Sequence, residues 1–211
     1  MEHVSKLRQY WEKEYERTDT PFDIDAPDEW VADLEKRGKI HGNVLDSGCG
    51  PGRASIFLAE RGYDVTGVDI SGNAIERAAS KSISKNVGVR FIQTDICEWS
   101  GYDGYFDTVI DIGCFHSLST DDERRNYVST LHRVCKVGAV VFLRALSAKN
   151  LQVKNSSNRA FPALSEEIIY DAFGANWNIS DIAHREIDLL TDNGVIKKAY
   201  CWFVEIIHEQ H

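Results

Sequence analysis

The sequence predicts an α/β protein in which parallel strands alternate with crossing helices, and three observations support that prediction. From residue 43 onward, short apolar runs alternate with stretches of helical period, a pattern typical of a parallel sheet covered by helices. A glycine-rich loop, residues 46–52, joins the first strand to the first crossing helix. The chain has 211 residues, of which 43% are hydrophobic, so we expect a single domain over residues 1–211 with a buried core.

The elements before the sheet are two amphipathic helices, which we expect to form a helical cap over residues 1–40. The first has apolar residues at helical spacing, namely Val4, Leu7, Trp11 and Tyr15. The second spans residues 27–36 and begins with a proline, a residue favoured in the first turn of a helix. Trp11 and Phe22 are candidates for covering a cationic ligand, because a cation above an aromatic ring is stabilised. The alternative is that the helical cap simply buries them.

The first half of the sheet is predicted as a βαβ unit. Residues 44–45 are a short apolar strand, and the helix after the glycine loop ends at Gly62. A second strand covers residues 64–69, and Ser71 is a suitable N-cap for the next helix. Residues 89–93 then alternate in polarity, which predicts a third strand.

The second half begins with residues 106–112, which are apolar on both faces, as a sheet covered on both sides requires. Residues 120–123, T-D-D-E, form a capping box, and the helix that they begin is predicted to end at Gly138, before a fifth strand at residues 139–143.

The remainder is predicted as a loop, a helix and a hairpin. Residues 147–164 are rich in Ser, Asn and Lys and lack a period, which makes them a candidate lid. Ser165 is predicted to cap the last helix. Residues 177–189 and 199–207 are expected to form a closing hairpin around a turn at 192–194.

Composition excludes several classes of protein. The 24 basic and 33 acidic residues give a net charge of −9, which repels phosphate backbones and anionic lipids, so we expect no nucleic-acid or membrane partner. The chain has neither a membrane-spanning run of about 18 apolar residues nor a signal peptide, which predicts a cytoplasmic location. The five cysteines form no C-x-x-C pair, so we expect reduced thiols and no metal site.

The glycine loop is the strongest candidate for a binding site. Its glycines are Gly48, Gly50 and Gly52. Glycine lets a ligand approach the backbone amides at a helix N-terminus. The G-x-G-x-G spacing departs from the G-x-G-x-x-G fingerprint of dinucleotide sites, and Pro51 offers no N–H to a diphosphate. A dinucleotide is therefore a poor fit.

Two acids flank this loop in the sequence. Asp46 would repel a phosphate but can accept hydrogen bonds from an ammonium group. Asp69 ends the second strand, 23 residues after Asp46, near the spacing at which an acid binds both hydroxyls of a ribose. The alternative for Asp69 is a helix cap or turn former, which is common at strand ends. Together, the two acids favour adenosine with a cationic tail.

Residues 44–52, V-L-D-S-G-C-G-P-G, and 68–71, V-D-I-S, resemble the first two motifs of class I S-adenosylmethionine-dependent methyltransferases. The resemblance implies a Rossmann-like three-layer sandwich with a seven-stranded, mostly parallel sheet whose last strand is antiparallel. It implies S-adenosyl-L-methionine as cofactor, with Asp46 at the methionine end, Asp69 at the ribose and Asp95 at the adenine amino group. The residues expected to contact the cofactor are Asp46, Gly48, Cys49, Gly50, Gly52, Asp69, Ile70, Asp95, Ile96, Asp111 and Trp11.

Segments outside these motifs indicate the acceptor. Residues 11–15 and 20–24 are similar to the N-terminal segment of thiopurine S-methyltransferase-like and halide or thiol methyltransferases, and residues 111–118 and 164–167 resemble later segments of bacterial members. Phe22 stands where tryptophan is frequent in that group, and this departure bears on the shape of the acceptor pocket and so on the substrate. This resemblance implies a small-molecule acceptor and favours sulfur over nitrogen or oxygen.

Two polar residues are candidates for handling the acceptor. His116 follows the fourth strand at the carboxyl edge, where ligands of such sheets bind, and is the candidate general base; a packing role is the alternative. Arg144, near the end of the fifth strand, can face either an anionic substrate group or a local acid. The residues expected at the substrate are Phe22, Phe115, His116 and Arg144.

Other functions remain open on sequence grounds. An N- or O-methyltransferase of a small metabolite would be indicated by an essential His116. A module that binds the cofactor without turnover is a second alternative. A nicotinamide-dependent oxidoreductase is disfavoured by Pro51 and Asp46. Methylation of protein or nucleic acid is disfavoured because no basic groove is visible. The sequence specifies no oligomeric state.

Overall fold

The computed structural model describes residues 2–17, 20, 23–152, 164–190 and 196–209. Six α-helices and seven β-strands alternate along these ranges. The helices are α1 (Glu2–Glu16), α2 (Glu29–Lys36), α3 (Arg53–Ala59), α4 (Gly72–Ser84), α5 (Asp121–Val134) and α6 (Glu166–Ala172). The strands are β1 (Asn43–Ser47), β2 (Asp64–Asp69), β3 (Arg90–Gln93), β4 (Phe106–Ile112), β5 (Cys135–Leu146), β6 (Trp177–Leu190) and β7 (Ile196–His208).

The seven strands form one mixed sheet in the order β3-β2-β1-β4-β5-β7-β6. Strands β1 to β5 are parallel, whereas β7 lies between β5 and β6 and is antiparallel to both. Six strands therefore share one direction and the last strand opposes them, which confirms the predicted Rossmann-like fold. The chain reverses its direction of progress across the sheet between β1 and β4, so a crevice for ligands opens at the carboxyl ends of these strands.

Helices cover both faces of the sheet because the strand side chains alternate between two cores. In β1, Val44 packs with α2 and α3, while the next residue, Leu45, packs with α5 and α6. The same alternation separates Phe142 from Leu143 in β5. All four side chains are fully buried or nearly so. The three-layer arrangement thus follows from apolar residues on both faces of the central strands.

Two predicted helix starts are confirmed. The Ser71 side chain accepts a hydrogen bond from the Ala74 amide, and Thr120 and Glu123 form the reciprocal bonds of a capping box. Helix α2 begins two residues later than predicted, because Asp28 is its N-cap. No helix in the described part of the chain has the length and apolarity needed to cross a membrane.

The boundary between α5 and β5 was predicted wrongly. The helix ends at Val134, four residues before Gly138, and β5 begins at Cys135 instead of residue 139. Cys135 is extended and pairs with Phe106 of β4. Pairing with the neighbouring strand therefore begins at residues that the helical period had assigned to the helix. This contact joins distant parts of the chain, and local periodicity carries no signal of it.

The predicted hairpin is present, and its strands are longer than expected. Strands β6 and β7 pair from Trp177 with His208 to Leu190 with Ile196, while the predicted turn at 192–194 lies outside the described residues. Most of the candidate lid also lies outside them. Its described ends meet, because Leu164 pairs with Ser147 just beyond β5, and Ala148–Gln152 form a 3-10 helix where only loop was expected.

Candidate active site

The candidate site lies where β1, β2 and β4 end, beside the crevice between β1 and β4. The glycine loop leaves β1 and leads into α3, and it has no room for side chains at two of its glycines. A Cβ on Gly48 would lie 2.7 Å from Cβ of Cys114, and one on Gly50 would lie 2.8 Å from Oη of Tyr15. Both glycines have a positive φ, +67° and +52°, which other residues adopt only with strain. Glycine is therefore required at both positions, because the loop packs closely against Cys114 and Tyr15.

Asp69, at the end of β2, connects this loop to the start of α4. Its Oδ2 accepts a hydrogen bond from the Gly50 amide at 2.8 Å, and its Oδ1 accepts one from the Ser71 amide at 2.9 Å. Burial raises the pKa of Asp69 to about 6. Each carboxylate oxygen has a further lone pair, so the same side chain can still accept bonds from ligand hydroxyls. Asp69 is thus a turn former that remains able to bind a diol.

Asp46, in β1, uses one of its two carboxylate oxygens for hydrogen bonds within the protein. Its Oδ2 accepts hydrogen bonds from the amide of Ser55 at 2.9 Å and from its hydroxyl at 2.6 Å. Its Oδ1 accepts none from the described residues. Burial, together with the nearby carboxylates of Asp111 and Asp69, raises the pKa of Asp46 to about 7. A cation beside Oδ1 would offset this buried negative charge.

The other predicted cofactor residues lie around these two acids. Asp95 follows β3, its Oδ1 accepts a bond from the Cys97 amide at 2.8 Å, and burial raises its pKa. Its neighbour Ile96 is buried, whereas Ile70, after β2, is only partly buried. Cys49 is buried under the loop, and burial raises the pKa of its thiol, so this cysteine is packed and not activated.

Helix α1 covers the glycine loop. Trp11 stacks on Tyr15, with ring centroids 5.7 Å apart, and Tyr15 is buried against Gly50. A contact that sequence reasoning missed fixes this helix. The Glu12 carboxylate accepts bonds from the amides of Gly72 and Asn73, at 2.9 and 3.1 Å, and binds the Ser71 hydroxyl at 2.8 Å. An acid at the positive N-terminus of α4 is stabilised there.

Asp111, in β4, is fully buried. Its Oδ1 accepts bonds from the amides of Gly113 and Cys114, at 2.9 and 2.7 Å. Its Oδ2 accepts bonds from the Phe115 amide at 2.9 Å and the Tyr127 hydroxyl at 2.7 Å. This carboxylate therefore shapes the turn after β4, and its contact with the cofactor stays a prediction.

The turn after β4 carries two predicted substrate residues, Phe115 and His116. Phe115 is fully buried between Tyr127 and Phe173, each with a ring centroid 5.5 Å away, so it packs in the core, and its contact with a substrate stays a prediction. The ring of His116 lies beside Gly113, and its Nδ1 accepts a hydrogen bond from the Leu146 amide at 3.3 Å. The third predicted aromatic, Phe22, lies outside the described residues.

Arg144, near the end of β5, has a local acid as its partner. Its Nη1 lies 2.8 Å from Oδ2 of Asp28, which is buried. The other oxygen of Asp28 accepts the Trp30 amide at the start of α2, and Arg53 lies 3.6 Å from the shared oxygen. This ion pair is the structural alternative considered for Arg144, and it fastens α2 to the sheet.

The sheet order and the glycine loop, with buried acids at the ends of β1 and β2, define a Rossmann-like enzyme with a nucleoside cofactor. A family model described as a methyltransferase domain matches residues 44–138. An uncharacterized methyltransferase of Schizosaccharomyces pombe is 46% identical over 56% of this chain and 80% of its own length. The chain therefore belongs to the S-adenosylmethionine-dependent methyltransferases, and S-adenosylmethionine is its cofactor. The nicotinamide alternative is thereby set aside.

Further similarities extend over between half and nine-tenths of the chain. The 2-heptyl-1-hydroxyquinolin-4(1H)-one methyltransferase of Mycobacteroides abscessus is 32% identical over 77% of this chain and 70% of its own length. A probable thiol methyltransferase of Arabidopsis thaliana is 32% identical, and the match spans about half of each protein, 50% and 47%. A solved structure reported for the conversion of a disulfide bond into a thioacetal group during echinomycin biosynthesis is 30% identical, with a TM-score of 0.80 over 90% of this chain and 88% of that one.

Proposed function

We propose that this enzyme transfers the methyl group of S-adenosylmethionine to a sulfur atom of a small molecule in the cytoplasm. The observation that carries the proposal is the similarity, over nine-tenths of the chain, to the echinomycin protein, whose reported reaction takes place at sulfur. The similarity to a probable thiol methyltransferase points the same way. The acidic surface, with its net charge of −9, also favours a small acceptor over nucleic acid.

The buried acids and the loop fit the cofactor in this proposal. Asp46 would hold the ammonium group through Oδ1, which accepts no bond from the described residues, and the backbone of the glycine loop would bind the methionine chain. Asp69 would bind the ribose hydroxyls, and Asp95 the adenine amino group. Trp11 of α1 would cover the sulfonium, since an aromatic face stabilises a cation. When bound, the cofactor supplies an electrophilic methyl group.

In this proposal the protein positions the two reactants and excludes water from the site. Helix α1 covers the loop and is fastened to α4 by Glu12. Asp111 holds the turn after β4, and His116 in this turn would lie beside the acceptor. A methyl transfer is an in-line displacement, so holding the nucleophile in line within a dry cavity supplies much of the rate.

Oxygen is the second candidate acceptor atom. The similarity to a methyltransferase that is named for a hydroxyquinolinone favours it, because that match covers 77% of this chain and 70% of that protein. An alcohol is a weaker acid than a thiol, so transfer to oxygen at neutral pH requires a positioned base, whereas a thiol supplies some thiolate unaided. The two candidates therefore differ in what they demand of His116.

The acceptor atom can be tested with matched compounds. We expect release of S-adenosylhomocysteine with an aryl or benzyl thiol, and no release with the alcohol and the amine on the same carbon skeleton. A reaction without acceptor gives the background rate. Iodide tests whether the enzyme methylates halides, as halide methyltransferases do. Product formation with the alcohol or the amine, and none with the thiol, would contradict transfer to sulfur.

The pH dependence of cofactor binding should report on Asp46. Its pKa of about 7 means that the free protein holds a proton there below pH 7, and an ammonium ligand favours the ionised form. Binding must then release a proton, so the Kd of S-adenosylhomocysteine should rise as pH falls from 7, by up to about tenfold per pH unit. Calorimetric titration between about pH 5.5 and 7.5 measures this slope.

The matched control for that experiment is Asp46→Asn, which keeps an oxygen for Ser55 but cannot ionise. We expect this variant to bind weakly and with the same Kd between about pH 6.5 and 7.5, because the other acid proposed to contact the cofactor, Asp69, has a pKa of about 6 and adds its own pH dependence only below that range. A wild-type Kd that does not change across this range would show that the ammonium group lies elsewhere.

A further inference from the structure

We propose that Glu12 is a latch that holds helix α1 closed over the cofactor site and thereby sets how fast the cofactor enters and leaves. Glu12 is a positioning residue in this inference, because it acts on the cofactor through α1. The inference rests on one part of the proposed function, the placement of Asp69 at the ribose.

Helix α1 spans the acid that is proposed to bind the ribose. Asp69 is held by the amides of Gly50 and Ser71, and α1 contacts both of these residues. Tyr15 lies against Gly50 on one side, and the Glu12 carboxylate binds the Ser71 hydroxyl on the other. Asp69 is only 7% exposed in this arrangement. A ribose can therefore reach both carboxylate oxygens only after α1 has moved away.

Four hydrogen bonds join Glu12 to the N-terminus of α4. Its Oε2 accepts bonds from the Ser71 hydroxyl at 2.8 Å and the Asn73 amide at 3.1 Å, and its Oε1 accepts one from the Gly72 amide at 2.9 Å. The Asn73 side chain donates to the backbone carbonyl of Glu12 at 3.1 Å. Burial alone would raise the pKa of Glu12, but the bonds to its carboxylate lower it, so the side chain is charged at neutral pH. This negative charge is stabilised at the positive end of α4.

These contacts can open and close because they lie at the surface. The Glu12 side chain is 27% exposed, so water can replace the protein donors when α1 moves away. The rest of α1 is attached only lightly, since among residues 6–16 only Glu14 and Tyr15 are buried. An element with few buried contacts opens at a low cost in free energy. The carboxylate of Glu12 therefore contributes a large part of what keeps α1 closed.

A latch of this kind changes rates without changing affinity. In the proposed function, α1 lies over the bound cofactor, since Trp11 covers the sulfonium. The latch then has to open both for entry and for release. Weakening it raises the open population of the free and the bound protein by the same factor, so kon and koff rise together and the Kd stays constant.

Stopped-flow mixing with S-adenosylhomocysteine, followed by tryptophan fluorescence, tests this inference. We expect Glu12→Ala to raise both kon and koff by about tenfold or more, the usual effect of losing hydrogen bonds to a charged group, and to leave the Kd unchanged. Asn73→Ala removes only the bond to the Glu12 carbonyl, so both rate constants should rise by a smaller factor. This second variant keeps the test possible if Glu12→Ala does not fold.

The matched control is Glu16→Ala, which removes an exposed acid one turn further along α1 and should leave both rate constants unchanged. If Glu12 only stabilises the fold, its variant has a lower melting temperature while kon stays at the wild-type value, and the inference is overturned. It is also overturned if the Kd rises at constant kon, because Glu12 would then support the bound state alone. These measurements use no acceptor, so their outcome does not depend on transfer to sulfur, and the Kd of Asp69→Ala tests the ribose contact separately.

Discussion

Replacing Asp69 with alanine is expected to abolish methyl transfer by preventing cofactor binding. The substitution removes the acceptor for the Gly50 and Ser71 amides, and with it the side chain proposed to bind the ribose. Losing the two proposed hydrogen bonds between the Asp69 carboxylate and the ribose hydroxyls costs about 3 kcal/mol of binding free energy, which corresponds to a rise of about 100-fold in Kd. Isothermal titration with S-adenosylhomocysteine measures the Kd, and product release measures the activity.

The control for this experiment is Asp64→Ala, which changes the acid at the other end of β2. Asp64 is exposed, and it interacts with the Tyr105 hydroxyl and with Arg90, away from the glycine loop. We expect this variant to bind the cofactor as the wild type does. An Asp69→Ala variant that folds and also binds with the wild-type Kd would refute the assignment of Asp69 to the ribose.

Replacing Asp111 with alanine is expected to lower the stability of the protein more than replacing any other residue proposed for substitution. Three amides and the Tyr127 hydroxyl, all close to a fully buried carboxylate, would lose their acceptor. Buried donors without partners cost about 1 to 3 kcal/mol each before the structure relaxes, so we expect the free energy of unfolding to fall by about 3 to 5 kcal/mol. Urea titration followed by tryptophan fluorescence measures the change.

Two further variants make the Asp111 result interpretable. Tyr127→Phe removes one of the four donors and should cost about 1 kcal/mol, which remains measurable if Asp111→Ala does not fold. Asp107→Ala changes the partly exposed acid at the start of the same strand, where it binds Lys136 and the Asn43 amide, and should also cost about 1 kcal/mol. Equal losses for Asp107→Ala and Asp111→Ala would contradict the buried network.

The central part of the fold could be predicted because its signals are local. The strand and glycine loop at 44–52, the apolar run at 106–112 and the caps at Ser71 and Thr120 each show in a few consecutive residues. The direction of the last strand came from resemblance and the strand order was not predicted, since periodicity says which residues are strands and not which strands pair. The wrong boundary at Cys135 has the same cause, because its pairing with Phe106 joins residues far apart in the chain.

The sequence indicates candidate residue types for the site but not their contacts. Asp46 and Asp69 were predicted from their spacing around the loop, and their contacts with the cofactor stay predictions. The burial of Asp111 and Phe115 was not predicted, because the sequence does not reveal which side of a strand end is buried. Glu12 was missed since its partners lie about 60 residues further along the chain. The hydrogen bond from the Leu146 amide to Nδ1 of His116 was not predicted either, because no side-chain pattern encodes a backbone donor.

The place of β7 in the sheet determines when the sheet can be completed during synthesis on the ribosome. Chains are made from the N-terminus, and β6 therefore emerges before β7, the strand with which it pairs. Until β7 emerges, β5 has an open edge, and an open edge is a site for pairing with other chains. The five strands that carry the glycine loop and the turn after β4 can pair with one another earlier. Nascent chains are thus most exposed to misassembly in the interval between release of β5 and release of β7.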